Sequence, residues 1–400
     1  MLELYQRIQH SPYPLNGSLA FANEWNFLTH DPAAHFESLV STGPYAGTLE
    51  AFGTGVKLRT RYRDLLDRAI GRGKVNYWAS GSHRVQETAR YFGTGFFGID
   101  TEKFADLVVI PETPARGADT LTPGDTCLNY ANNVDDHGHD YGARQLARWR
   151  SNYLPAIVKR FLQDSPELPF TEDEVYAMQE LCGFETIAKG SSQWCGVFSH
   201  EEWTSFEYAR DLLHYYRAGP GNSYGATMGW LWLNTTADLL RSGNESGELF
   251  FSFVHDGDIV PMLAAMDLFP QEPELPTSHV LHNRTWRTSD VVPMGGRVIL
   301  ERLACPAPRR CWDNAPFYPN HIYCEEDRDD MYVRVNANDG IVAIPDCDEG
   351  PGASCELEKF SERVKKTGEE VGDFAKVCGL PNDAPKSITF LHQHKYETKQ

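Results

Sequence analysis

The stretch VNYWASGSHRVQETARYFGTGFF, residues 75–97, sets the fold class. Val75–Ser80 reads as a short strand. Gly81 and Ser82 break that run. Beyond them Val85, Ala89, Phe92 and Phe96 recur at i, i+4, i+7 and i+11, the spacing of one helix face. Arg84 therefore falls in the first turn of a helix that follows a strand directly. The stretch FSFVHDGDIVP, residues 251–261, repeats the plan. A strand ends, His255 and Asp256 sit at the turn, and Pro261 is expected in the first turn of the helix that follows, where proline is tolerable.

Working outward, EAFGTGVKLRTRYRDLLDRA predicts one helix over Glu50–Ala69, and FADLVVI predicts a buried strand over Phe104–Ile110. From Pro111 to about Asp140 the chain turns to Gly, Asp, Asn and Pro, a loop composition. Residues 141–245 then read as almost wholly helical, in four segments. Strand patterns resume at Leu249–Val254, Val298–Leu303, Met331–Val335 and Ile341–Ile344. The order is α/β, helical block, α/β. It predicts an α/β domain of residues 1–114 and 246–400, interrupted by a mainly α-helical insertion of residues 115–245.

In an open α/β sheet, ligands bind outside the carboxyl ends of the strands, and helix N-termini there favour anions. Arg84, His255 and Asp256 thus point to one anionic group. Arginine serves as a bidentate clamp, histidine as a donor and aspartic acid as a proton source. Taken singly, Arg84 is equally a surface arginine and Asp256 equally a helix cap. Occurrence in two matching strand–turn–helix settings favours the site. His30-Asp31 precedes Pro32 and reads as loop. The run Asp135-Asp-His-Gly-His-Asp140 has metal-compatible side chains but lies in the loop-rich stretch and reads as solvated, so no metal or other cofactor is expected. His392 and His394 read likewise.

The 400 residues carry 37 basic and 56 acidic side chains, a net charge of −19. That argues against nucleic acid or an anionic membrane as partner. No stretch approaches a membrane span. Asn16, Asn234, Asn244 and Asn283 open glycosylation sequons. Nine cysteines occur without a Cys-x-x-Cys motif. The intervals Cys182 to Cys195 and Cys347 to Cys355 suit local disulfides, which fits a secreted protein. The N-terminal residues do not form a secretory signal, so the native start is expected upstream of Met1.

The chain resembles the histidine acid phosphatases, in particular the fungal branch of secreted acid phosphatases and phytases. SGSHRVQETARYF, FSFVHDGDI, GTLEAFGTGVKLRTRYRDLL, LCGFETIAKGSSQWCGVFSHEEW, YYRAGPGNSYGATMGWLW and DMYVRVNANDGIVAIPDCDEGPGASCELEKF carry the likeness, over about residues 4–380. The resemblance implies a phosphoglycerate-mutase-like α/β sandwich domain with the helical insertion. It implies hydrolysis of phosphate monoesters through a phosphohistidine, with Asp256 protonating the leaving alcohol and His255 and Arg84 on the phosphate. Disulfides Cys127–Cys378 and Cys311–Cys324 are expected beside the two local ones, which leaves Cys305 over.

One departure matters. The family nucleophile lies in Arg-His-Gly-x-Arg-x-Pro, and no Arg-His dipeptide occurs in these 400 residues. The motif and the central strand that carries it are expected upstream of Met1. So is the partner of Cys305. This chain alone is then expected to be inactive and unstable, because losing a central strand opens two sheet edges. Two alternatives stand beside this reading. One is a non-catalytic protein that binds phosphate esters or serves as a cell-surface glycoprotein. The other, within the enzymes, is a phytase.

Overall fold

The computed structural model describes residues 1–29, 47–307 and 328–393, with backbone alone for residues 311–315 and 318–324. Helix α1 (Leu2–Gln9) opens the chain, and Leu4 and Ile8 are its buried side chains. Helices α2 (Gly47–Arg61) and α3 (Arg63–Arg72) follow. The sequence predicts one helix here. It breaks at Tyr62, whose φ of −111° and ψ of 29° leave the helical region while its hydroxyl donates to Glu301 at 2.6 Å. Strand β1 (Val75–Ser80) and helix α4 (His83–Phe97) stand where the sequence reads them. Strand β2 runs Ala105–Ile110; Phe104 instead ends a helical turn that begins at Thr101.

The helical block comprises α5 (Tyr141–Asp164), α6 (Glu172–Lys189), α7 (His200–Arg217) and α8 (Gly225–Ser242). Two of these helices begin at reciprocal caps. Thr171 accepts from the Glu174 N–H while Glu174 accepts from the Thr171 N–H, and Ser199 with Glu202 does the same. Residues 1–28 pack on this block. Leu19, Trp25 and Phe27 share its core, Trp25 donates to Glu185 at 2.8 Å, and Arg7 pairs with Glu174. The ion pair Arg284–Asp211, 2.5 Å long and buried at both ends, ties the later loop to α7.

Strand β3 is only Ser252–Phe253, and α9 (Asp256–Ala265) follows it. Residues 249–254 form less strand than their composition predicts. On the β1 side, Gln393 bonds both Asn76 backbone groups and the Leu249 carbonyl, and so stands between the two chains. The remaining strands and the last long helix are β4 (Val298–Pro306), β5 (Cys311–Ala315), β6 (Tyr318–Cys324), β7 (Asp329–Ala337), β8 (Gly340–Val342), β9 (Cys355–Glu356) and α10 (Leu357–Val371). Ile344 lies past β8 and makes only an isolated bridge to Cys347.

The strands form a parallel sheet in the order β2-β1-β3 and an antiparallel sheet β4-β7-β8, with β9 also on β7. Helix α10 packs on α8. Cys127–Cys378, Cys182–Cys195 and Cys347–Cys355 are bonded. Cys305 is free among the described residues. The β5–β6 register sets Cys311 opposite Cys324, but their side chains lie outside the described residues.

Two close crossings fix where the first turns of α4 and α9 lie. A Cβ on Gly55 of α2 would collide with the Phe92 carbonyl, and one on Gly95 of α4 with that of Phe52. A Cβ on Gly229 of α8 would collide with the Pro261 carbonyl of α9. Gly229→Ala should therefore force α9 off α8 and cost about 1–3 kcal/mol of stability by overpacking. The check is the urea unfolding midpoint; an unchanged midpoint contradicts the tight crossing.

Candidate active site

Strands β1 and β3 run parallel, with Trp78 opposite Ser252 and Ala79 opposite Phe253. Their carboxyl ends therefore lie side by side, and so do the first turns of α4 and α9. This brings the three residues singled out in the sequence together. Arg84 Nη2 lies 3.3 Å from His255 Nδ1. Arginine can only donate, so Nδ1 accepts. The proton then sits on Nε2, which faces Glu112 Oε1 at 3.3 Å. Glu112 also accepts from the Ser82 N–H at 2.9 Å, which ties the end of β2 to the first turn of α4. The His255 N–H donates to Asp258 at 3.2 Å, which caps α9.

Asp256 is open to solvent on one side and walled by α7 on the other, and its Oδ1 accepts from the Gly257 N–H at 2.8 Å. Its Oδ2 lies 3.6 Å from Nε2 of buried His214, longer than a hydrogen bond. Arg210 Nη2 lies 3.3 Å from the same Nε2. Burial pushes the Asp256 carboxyl up, but His214, Arg217, the Gly257 N–H and Arg210 outweigh it. They hold the carboxyl below its ordinary range. Burial drives His214 down to about 4, assisted by the charges of Arg210 and Arg217 and opposed by Asp256. Arg84, Arg210, His214, His255 and Asp256 line one end of a cleft of about 1770 Å³.

A cation clamp, a neutral imidazole and a carboxyl around one open space suit a phosphoryl group. The comparison with known families decides the class. The sequence model of the histidine phosphatase superfamily, branch 2, matches residues 3–338. This chain belongs to that superfamily. A phytase of Candida albicans is 30% identical over 400 residues, 99% of this chain and 79% of that protein. An acid phosphatase of Komagataella pastoris is 30% identical over 394 residues, 97% and 78% of the two chains. The solved phytase from D. castellii superposes with a TM-score of 0.83 at 27% identity, covering 97% of this chain and 78% of that one. By family the chain is an acid phosphatase, and its fold is the mixed α/β fold of the histidine phosphatases.

Within that histidine phosphatase fold, sequence reasoning missed His214, Arg210, Arg217 and Glu112. The first three stand at i, i+4 and i+7 on α7, one helix face, and that spacing was legible. Nothing in the sequence aims the face at α9. The other candidates are engaged locally. Asp135 accepts from the His137 N–H and the Tyr224 hydroxyl, His137 stacks on Tyr141, and His139 lies 3.1 Å from Asp140. No cluster of three metal-capable side chains occurs among the described residues. His30, Asp31 and His394 lie outside them.

His214 makes a stability prediction. The unfolded chain protonates it near pH ~6.5, the folded chain only near 4. Between those values the unfolded state binds more protons, so stability falls as pH drops from about 6.5 to about 4. His214→Gln removes this titration and should flatten the loss, read as urea midpoints across that range. A slope equal to that of the parent contradicts the burial of a neutral imidazole.

Proposed function

We propose that the site binds and helps to hydrolyse phosphate monoesters. Arg84 and His255 hold the phosphate oxygens, and Asp256 protonates the leaving alcohol. The phosphoryl group passes through a phosphohistidine on a nucleophile that is not among these 400 residues, since none of their histidines follows an arginine. The observation that carries the reading is the 3.3 Å approach of Arg84 to His255 at the ends of two parallel strands. The depressed acidity constant of Asp256 fits once substrate is considered. An incoming phosphate places negative charge beside the carboxyl, raises its affinity for a proton, and readies it to donate in mildly acid solution.

We propose further that the protein works in a secretory or cell-wall setting. The three disulfides among the described residues support this, because such bonds persist in oxidising compartments. Among the described residues no helix is long and apolar enough to cross a membrane. The division into an α/β unit of residues 1–114 and 246–400 and a helical insertion of residues 115–245 is likewise our proposal, with residues 1–28 of the α/β unit packed on the insertion. It is supported by β2 and β3 flanking β1 although helices α5–α8 intervene in sequence.

The experiment has two arms. The chain alone should release no phosphate from p-nitrophenyl phosphate at mildly acid pH; turnover like that of a full-length relative contradicts the missing nucleophile. It should still bind inorganic phosphate, and Arg84→Ala should weaken that binding roughly 10–100-fold, the loss of a charged hydrogen-bond pair. Unchanged binding in Arg84→Ala contradicts the site.

A further inference from the structure

Both ring nitrogens of His255 are engaged in this structure. Arg84 Nη2 lies 3.3 Å from Nδ1, and Glu112 Oε1 lies 3.3 Å from Nε2. A neutral imidazole carries one N–H, and here it points at Glu112. Nδ1 therefore turns a lone pair toward Arg84. An anion held by both residues must sit on that same side, where a lone pair facing its oxygen is repulsive. One of the two partners has to yield. Arg84 is exposed, and its long side chain is free to turn. Glu112 exposes only 25% of its side chain and is held by the Ser82 N–H at 2.9 Å. Burial pushes the Glu112 carboxyl up, but the Ser80 hydroxyl, the Ser82 N–H and His255 outweigh it and hold it below its ordinary range. The ring is anchored as well, because the His255 N–H caps α9 through Asp258.

We infer that an anion enters this site together with a proton, and that Glu112 is the counter-charge that holds the proton on His255. The anion itself rests on the functional reading above; the role of Glu112 goes beyond it. Arg84 turns its N–H from Nδ1 to an anion oxygen. The freed Nδ1 lone pair takes a proton from solvent, and the new N–H donates to a second anion oxygen. The imidazolium then lies between the anion and the Glu112 carboxylate, with a charge-assisted hydrogen bond to each. Glu112 does not touch the anion. It is a positioning residue that acts through His255. The charged and titratable groups around the ring are Arg84 of α4, Glu112 past β2, and Asp256 and Asp258 of α9. Arg210, His214 and Arg217 of α7 face Asp256, and Asp125 acts on Asp258. Acid solution thus favours the capture of the anion as well as the later protonation by Asp256.

The test is calorimetric titration of residues 1–400 with sulfate, which stays fully ionised across the range used. Titrations in two buffers of different ionisation heat count the protons taken up. The count should be about one per anion at about pH 7.5, where an imidazole is ordinarily neutral. Arg84→Ala should remove most of the binding, which locates it. Glu112→Gln keeps the shape and an oxygen for the Ser82 N–H but removes the charge. It should bind sulfate ~tenfold more weakly at about pH 7.5 and at least as tightly as the parent at about pH 5. At the lower pH an imidazole protonates unaided, and the repulsion between carboxylate and anion is gone. A merely structural role would weaken binding at both. If Glu112→Gln does not fold, the proton count of the parent decides. Arg84-dependent binding without proton uptake, or equal weakening of Glu112→Gln at both pH values, overturns the inference and leaves the phosphate reading standing. Absence of Arg84-dependent binding overturns both.

Discussion

The parallel pairing of β1 with β3 is the constraint on which the site depends. Only two residue pairs, Trp78 with Ser252 and Ala79 with Phe253, set its register. Because a strand's side chains alternate, a slip by one residue would turn Phe253 away from Tyr77 and Phe92. It would also move His255 along the strand axis by ~3.3 Å and away from Arg84. The aromatic cluster of Phe92, Phe96, Phe97, Phe251 and Phe253 is therefore more than a core. It locks the register that makes an arginine and a histidine, 171 positions apart in sequence, into neighbours.

Helix packing does the rest. Strand ends fix where α4 and α9 begin, and the glycine crossings fix how closely their partners approach. The distant helix α7 then supplies the wall of the site. It is held by the Arg284–Asp211 pair and by the Thr288 N–H, which donates to the same aspartate at 2.6 Å. Asp211 lies one residue beyond Arg210, so this buried network also sets the face that carries Arg210 and His214 toward Asp256. The polar end of the cleft is thus built by three kinds of element: a β-sheet edge, two helix N-termini and one helix face.

Much of this was legible in the sequence because it is local. Strand β1, helix α4 and the placement of Arg84, His255 and Asp256 follow from period and turn chemistry within a few residues. The break at Tyr62 was not legible, because it answers to Glu301 on a remote strand. Strand β3 was over-read for a similar reason: Gln393, 144 residues beyond Leu249, takes its carbonyl. Glu112 and His214 were invisible as site residues, since only the tertiary meeting of β2, α7 and α9 gives them partners. The family resemblance located the His-Asp pair but had no means of showing that His214 stands behind it.

The central claim is that Arg84, His255 and Asp256 surround one phosphoryl group. The most direct measurement is an experimental structure of residues 1–400 soaked in inorganic phosphate or vanadate. The account predicts an anion at the carboxyl ends of β1 and β3, with oxygens in hydrogen-bond reach of Arg84 and His255 and with Asp256 beside it. An anion bound elsewhere while this end of the cleft holds only solvent, with Arg84 and His255 still 3.3 Å apart, would contradict it.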